Sequence, residues 1–381
     1  MKPINEKRRL VLLSACHDYR TAKRASIHHI ADGLIRAGCD VSFVSTRFSF
    51  LSKWTDDSRI SLSHKANLVE TVNGVRCFLW RTPLHPFHSD NLILDATMRA
   101  AYVLYSNWPS ETFDEMCSNA DAIVIESSVA AIYLRRLRRI NSEAKIIYYA
   151  TDQLDTIGAH PFVQQRLEDD SALVTHFSLR SSTMIDHFRW AEGRLFRAEF
   201  GVDEGQYSNV GPSPYVPGRK TLISVGSMLF DETFFAIAGK LFPDVQFHVI
   251  GCGTTFQGPP NVRVYPEMKF KDTLAYIKHA AVGIAPYRSA PGAEYLAESS
   301  LKLAQYEYFG LPALCPTFAV GRAPSRFGYE PGNEESIRAA VVAALAAAGA
   351  VKPRKFLSWT EVALRVLDPE RYPETSLNGL S

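Results

Sequence analysis

The chemistry in this chain is densest around a strand exit, Ala285-Pro286-Tyr287, and the polar segment Glu298-Ser-Ser-Leu-Lys302-Leu-Ala-Gln305-Tyr-Glu-Tyr-Phe-Gly310 that follows it. Ser299 and Ser300 are natural helix N-caps, so first-turn amides and the positive end of the helix dipole are offered to an anion. Lys302 and Gln305 lie three residues apart and share a helical face, one supplying a cation for phosphate and the other an amide for base or sugar. The competing expectation is a plain amphipathic helix, with Leu301, Leu303, Ala304 and Tyr308 packed and Lys302 and Gln305 turned to water.

A second reactive position is Asp152, in Tyr149-Ala-Thr-Asp152, where a carboxylate follows an apolar strand. A general base belongs on such a rigid, partly desolvated support. An N-cap or turn aspartate is the alternative, and Asp155 competes for the same role. Turns leaving strands also fall at Gly226-Ser-Met228-Leu-Phe-Asp231, at Gly251-Cys-Gly253 and at Glu267, positions where open α/β sheets bind ligands. The Gly251 turn does not complete a dinucleotide fingerprint, because Phe256 stands where a third small residue is needed. No Asp-x-Asp pair has strand context, so no metal is expected to hold a diphosphate. The segment His17-Asp18-Tyr-Arg20-Thr-Ala-Lys23-Arg24 follows the first strand, and its three cations suit an anionic acceptor. A metal reading of His17, Asp18, His28 and His29 is weak, since adjacent histidines point to different sides of a helix. The run Tyr133-Leu-Arg-Arg-Leu-Arg-Arg139, with Phe48, Phe50 and Trp54, reads either as a basic amphipathic surface for an acidic bilayer or as a solvated face.

These residues need a scaffold, and 381 residues suggest two domains. Net charge is only +2, so nucleic acid is not the expected partner. Six cysteines without CxxC spacing argue against zinc and disulfides and suit a reducing cytoplasm. The charged first residues and the short apolar run behind them fit no signal peptide, and no segment is long enough to span a bilayer. Short apolar runs at 10–14, 41–45, 122–126, 145–149 and 173–178 alternate with helical patterns at 26–37 and 128–140, which predicts parallel βαβ units. Asn73-Gly74 predicts a β-hairpin that makes the first sheet mixed. Residues 205–220, carrying three prolines and three glycines, read as the linker. A second series follows, with strands at 221–225, 245–250, 262–265 and 282–285. Domains of 1–204 and 205–381 are expected, with the tail from about 358 a candidate to return to the first.

Several stretches then carry a family resemblance: His17-Asp18-Tyr19-Arg20-Thr21, Leu79-Trp80-Arg81-Thr82, Gly226 to Asp231, Phe247-His-Val-Ile-Gly251, Tyr276-Ile-Lys-His279, Gly283-Ile-Ala-Pro-Tyr287, Ser325-Arg-Phe-Gly-Tyr329 and Tyr372-Pro-Glu-Thr375. The chain resembles the bacterial inverting glucuronosyltransferases of xanthan-type exopolysaccharide synthesis, glycosyltransferase family 70. The resemblance implies a GT-B fold, two Rossmann-like domains facing a central cleft. It implies transfer from UDP-glucuronate to a polyprenyl-diphosphate-linked oligosaccharide, on the cytoplasmic face of the inner membrane; no cofactor or metal is expected. It places the base at Asp152 and donor contacts at Met228, Glu267, Tyr287, Leu301, Lys302 and Gln305, with Leu301 standing where the family has methionine. The loop 289–294 also departs from the family pattern. Acceptor contacts are expected from His17, Asp18, Arg20, Lys23 and Arg24, and Arg288 is placed to meet a sugar carboxylate. The alternatives are another UDP-sugar donor, a sugar-nucleotide epimerase or dehydrogenase, or a non-catalytic sugar- or lipid-binding protein.

Overall fold

Apolar runs of four to six residues become strands whose successive residues are buried on both faces, as a parallel sheet requires. The computed structural model describes residues 7–22, 24–55, 57–89 and 92–379. The chain divides into two compact units, one of Met1–Gly201 with Ser358–Ser381 and the other of Val202–Leu357. The division thus falls before the proline-rich segment rather than within it, and the tail belongs to the first unit.

The first unit holds β1 (Arg9–Ser14), β2 (Asp40–Phe48), β3 (Val69–Val72), β4 (Val75–Arg81), β5 (Ala122–Glu126), β6 (Lys145–Ala150), β7 (His176–Leu179) and β8 (Leu195–Arg197). Their order across the sheet is β3-β4-β2-β1-β5-β6-β7-β8. Every pairing is parallel except β3 with β4, whose turn puts Asn73 (φ 50°) and Gly74 (φ 83°) in the left-handed region that a tight hairpin requires. β7 begins three residues later than the apolar pattern suggests, since Ser171–Leu173 form a 3-10 turn instead. The expected 128–140 helix likewise opens as a 3-10 turn, Val129–Tyr133, before the α-helix Leu134–Ile140.

The tail is fixed by packing and charge. The helix Trp359–Leu367 lies on the helix Ser26–Arg36 at Gly33, where an added Cβ would sit 2.5 Å from the Trp359 carbonyl. Asp368 receives Lys145 at 2.8 Å and Arg8 at 2.5 Å.

A two-residue strand, β9 (Gly201–Val202), pairs with β16 (Leu357–Ser358). The second unit holds β10 (Thr221–Val225), β11 (Gln246–Ile250), β12 (Val262–Tyr265), β13 (Val282–Ile284), β14 (Ala313–Pro316) and β15 (Arg326–Tyr329). They form one parallel sheet in the order β12-β11-β10-β13-β14-β15, the doubly wound arrangement whose carboxyl edge holds ligands. The helix Leu301–Tyr308 is seated on β13 through Gly283, where an added Cβ would come 2.3 Å from the Tyr306 ring. The buried Tyr306 hydroxyl donates to the carbonyls of Ile223 and Ile284 at 3.1 and 3.0 Å, which fixes that helix against two strands. Opposite, Phe234, Phe235 and Phe247 pack with Ile337 and Val341 into the unit's core.

Among the described residues no helix is long and apolar enough to cross a membrane.

Candidate active site

In the second unit the expected donor residues gather at one sheet edge. Met228 follows β10, Glu267 follows β12 and Tyr287 follows β13. Antiparallel pairing of Phe230 with Tyr287, with hydrogen bonds from Arg288 N to Leu229 O (2.7 Å) and from Asp231 N to Pro286 O (2.8 Å), joins two of these loops. Gly251 has φ +60°, and a Cβ there would lie 3.3 Å from the Glu267 backbone, so the glycine allows the β11 and β12 exits to approach.

The polar helix differs from both sequence expectations. Ser300 alone is its N-cap, its Oγ accepting from Leu303 N at 3.1 Å, whereas Ser299 ends a preceding short helix, Leu296–Ser299. Lys302 and Gln305 face inward, at 7% and 4% exposure, so the reading that turned them to solvent is excluded. Gln305 donates to the buried Tyr207 hydroxyl at 3.2 Å. Lys302 Nζ donates to the Gly226 carbonyl at 3.3 Å and lies 5.3 Å from the Tyr287 ring centroid. The Tyr287 hydroxyl and Ser300 Oγ share a hydrogen bond of 2.5 Å, linking cap and ring. No carboxylate pairs with Lys302 among the described residues, and burial brings its ammonium down to about 7. A buried cation without a counter-ion is costly unless an anion arrives to complete it.

In the first unit Asp152 stands just beyond β6 and half buried. Ser127, which follows β5, fixes that turn: its Oγ accepts from both Thr151 N and Asp152 N at 3.1 Å. The Thr151 hydroxyl donates to Asp152 Oδ2 at 3.0 Å. Asp152 also borders a cavity of about 490 Å³, whose wall includes Tyr148, Gln153, Gln164, Glu168 and Trp190. Tyr148 Oη, Gln153 Oε1 and Trp190 Nε1 on that wall are buried without a protein partner, and no lysine or arginine lines it. Such a surface suits a neutral polyol better than an anion.

The acceptor-side cations expected from sequence are mostly spent internally. Arg20, with its side chain 3% exposed, donates to Asp18 at 2.8 Å and lies 3.3 Å from Glu70, while Asp18 also receives the Ser45 hydroxyl at 2.8 Å. Arg24 is paired with Asp32 at 2.5 Å over the Tyr19 ring. Lys23 lies outside the described residues. His28 and His29 are core groups, pushed down to about 4 and about 3 by burial, and His29 stacks 4.9 Å from Trp359. His17 follows β1, at the same sheet edge as Asp152 beyond β6.

Three of the four arginines in the run 133–139 are likewise engaged. Arg135 binds Asp170 at 2.7 Å, Arg136 is buried against Asp114 and Trp80, and Arg138 caps the carbonyls of Ser142, Ala144 and Leu173. Phe48 is buried, while Phe50 and Trp54 are exposed.

One cluster has metal-ligating types: ligand atoms of His88, Asp95 and His160 lie within 4.8 Å of one another. His160 Nδ1 accepts from Phe162 N at 2.9 Å, so its proton is on Nε2, which points to Asp95 Oδ2 at 3.0 Å. That tautomer makes the group a hydrogen-bonded clamp, opposite to the one metal ligation through Nε2 needs.

Residues 12–180 match the family model described as glucuronosyltransferase GumK, N-terminal domain. The UDP-glucuronate:glycolipid 2-beta-glucuronosyltransferase of Xanthomonas campestris pv. campestris is 41% identical over 373 residues, covering 97% of this chain and 92% of that protein. The chain belongs to the GumK glucuronosyltransferase family. Its fold is GT-B, as in a glycosyltransferase from Rickettsia africae (TM-score 0.56, 10% identity, 98% of this chain and 95% of that one). An α,α-trehalose 6-phosphate synthase from Burkholderia multivorans shares it (TM-score 0.59, 13% identity, 96% and 93% coverage). The family's members are glycosyltransferases, and this chain is one.

Sequence reasoning missed three groups that organise these sites: Glu126, Ser127 and Tyr207. Glu126 carried a usable signal, being the polar end of an apolar strand like the one preceding Asp152. Tyr207 carried none, because its contact with Gln305 joins residues far apart in the chain.

Proposed function

We propose that this protein transfers glucuronate from UDP-glucuronate to a sugar hydroxyl on a polyprenyl-diphosphate-linked oligosaccharide, with inversion and without a metal ion. The observation that carries the reading is the 41% identity, over 97% of this chain, with a relative whose name states that donor and a glycolipid acceptor. UDP-glucuronate holds its sugar in α linkage and that name specifies a β product, so a single displacement with inversion accounts for the change.

In this reading the first unit binds the acceptor and the second unit binds the donor. Asp152 removes the proton from the acceptor hydroxyl as its oxygen attacks the anomeric carbon, and the bond to the diphosphate breaks in line with its electron pair leaving on UDP. Lys302, with the capped terminus of its helix, neutralises that charge. Met228, Glu267, Tyr287, Leu301 and Gln305 hold nucleotide and sugar, and Arg288 meets the glucuronate carboxylate. The hydrogen-bonding cavity beside Asp152, lined also by Asp155, Glu168 and Asp186, takes the neutral acceptor sugar. The enzyme works on the cytoplasmic surface of the inner membrane, with the exposed Phe50 and Trp54 as contacts.

The test is incorporation of labelled glucuronate into a polyprenyl-diphosphate oligosaccharide by purified protein, with and without a chelator, against UDP-glucose as the competing donor. Chelator-insensitive transfer preferring UDP-glucuronate is expected. Equal or better transfer from UDP-glucose would reject the donor, loss of activity on chelation would reject the metal-free mechanism, and UDP binding without transfer would favour a binding protein.

A further inference from the structure

The parallel neighbours β1 and β5 end side by side, and their exits deliver a histidine and a carboxylate into contact. His17 Nδ1 lies 2.9 Å from Glu126 Oε2, and Ser14 Oγ donates to the same oxygen at 2.5 Å. The loop is fixed around it, since the amides of Cys16 and His17 donate to Ser14 Oγ at 3.2 and 3.0 Å. The Glu126 side chain is 4% exposed and the His17 side chain 30%. Nδ1 is thus committed to the carboxylate, while Nε2 has no hydrogen-bond partner among the described residues, on a side chain that keeps 30% of its surface exposed.

Resting on Asp152 as the base, we propose that His17, oriented by Glu126, is the second proton acceptor of the site: its Nε2 takes up the proton that Asp152 removes from the acceptor hydroxyl. The acceptor O–H bond breaks as the glycosidic bond forms, and the proton resides on Asp152. It then passes to Nε2, giving an imidazolium whose Nδ1–H remains on Glu126, and leaves to solvent before the next turnover. Asp152 returns ionised, and the electron pair of the broken bond departs with UDP.

The electrostatics agree with this geometry. Burial opposes ionisation of Glu126, but His17 and the Ser14 hydroxyl hold its carboxyl below the usual range. Burial also opposes the imidazolium, yet Glu126 outweighs it, Arg59 acts against and Asp152 adds to the gain, so His17 is raised above its ordinary value. Around the ring these charges are joined by His28, whose ring lies 5.5 Å away and which burial keeps neutral, and by the Cys16 thiol, which burial pushes up. Relay requires neutral His17 at the outset, so turnover falls as pH drops through the raised His17 value.

The experiment is kcat/KM for the acceptor against pH in the full-length protein, for wild type, His17→Gln and Glu126→Gln, with UDP affinity measured alongside. Loss of the relay is expected to lower kcat/KM about 10²-fold, at the low end of acid–base contributions. The acid limb should also move to lower pH in His17→Gln, and by less in Glu126→Gln, with UDP affinity unchanged. A His17→Gln profile in the wild-type position, whatever its height, overturns the proposal. An active Asp152→Asn would sink the base assignment separately, while an inactive one with an unshifted His17→Gln profile would sink His17 alone. Should a variant fail to fold, titration of the His17 resonance in ¹³C-histidine wild-type protein decides, the signal being identified by its loss in His17→Gln or His17→Asn. A midpoint above the ordinary 6.5 is expected, and one at or below it overturns the proposal.

Discussion

Lys302→Met should make the ligand-free protein more stable while destroying its affinity for UDP. Holding the ammonium at about 7 instead of its ordinary 10.5 costs about 5 kcal/mol, at ~1.4 kcal/mol per pH unit. Near pH 7 about half of the folded molecules escape by releasing the proton, which leaves a burden of about 4 kcal/mol. Methionine keeps most of the packing and loses the hydrogen bond to the Gly226 carbonyl, about 1 kcal/mol, so a net gain of about 2–4 kcal/mol is expected. The sign follows from linkage: the folded state binds this proton less tightly than the unfolded chain, so the penalty is full below about 7 and vanishes above 10.5. Urea unfolding at pH 7 and pH 10 should show the gain at the first and under about 1 kcal/mol at the second. Binding has the complementary signature. A diphosphate stabilises the charged lysine, so wild type should take up roughly half a proton per UDP at pH 7 and nearly one at pH 8. Calorimetry in buffers of different ionisation enthalpy measures this. UDP affinity should then weaken about tenfold per pH unit above 7, and Lys302→Met should show neither effect. Destabilisation by Lys302→Met, or a pH-independent affinity for UDP in wild type, would refute the reasoning.

Asp152→Asn should lower turnover about 10²- to 10⁴-fold with UDP affinity within about twofold of wild type, and equal loss of both would reject the base. Arg288→Ala should raise KM for UDP-glucuronate roughly 10- to 10²-fold and leave UDP binding unchanged; a parallel loss for UDP would place Arg288 on the nucleotide instead. Gly283→Ala drives a methyl into the Tyr306 ring, 2.3 Å from the added Cβ, and should cost at least about 2–3 kcal/mol in urea unfolding, with UDP binding lost as the Lys302 helix lifts. Arg326→Ala should cost about 3–5 kcal/mol, because Glu307 would remain buried with only the exposed Arg354 at 2.9 Å; an effect below 1 kcal/mol would mean Arg354 suffices.

The strand series was legible because period, length and caps are local: β5, β6, β10 and the Asn73-Gly74 hairpin stand where short apolar runs and turn residues put them. So was the place of Asp152, since a carboxylate just beyond an apolar strand is carried to a sheet edge by the strand itself. Boundaries that depended on competition between turn types, as at 171–173 and 129–133, were not, because 3-10 and α turns share sequence signals.

The charges were the least legible. Arg20, Arg24, Arg135 and Arg138 read alike as available cations, and only tertiary contacts with Asp18, Asp32, Asp170 and backbone carbonyls distinguish them from Lys302. The sequence by itself determined that two α/β sheets would form, one mixed and one parallel, and that polar side chains would sit at their carboxyl edges, because hydrophobic periodicity, turn residues and chain direction suffice for that. Which of those side chains is buried, paired or left unpaired was decided by the tertiary structure. Solvation and Coulomb energies depend on neighbours that sequence distance does not reveal: Glu126 meets His17 across two strands, and Lys302 is buried beside Tyr287 with no counter-ion among the described residues.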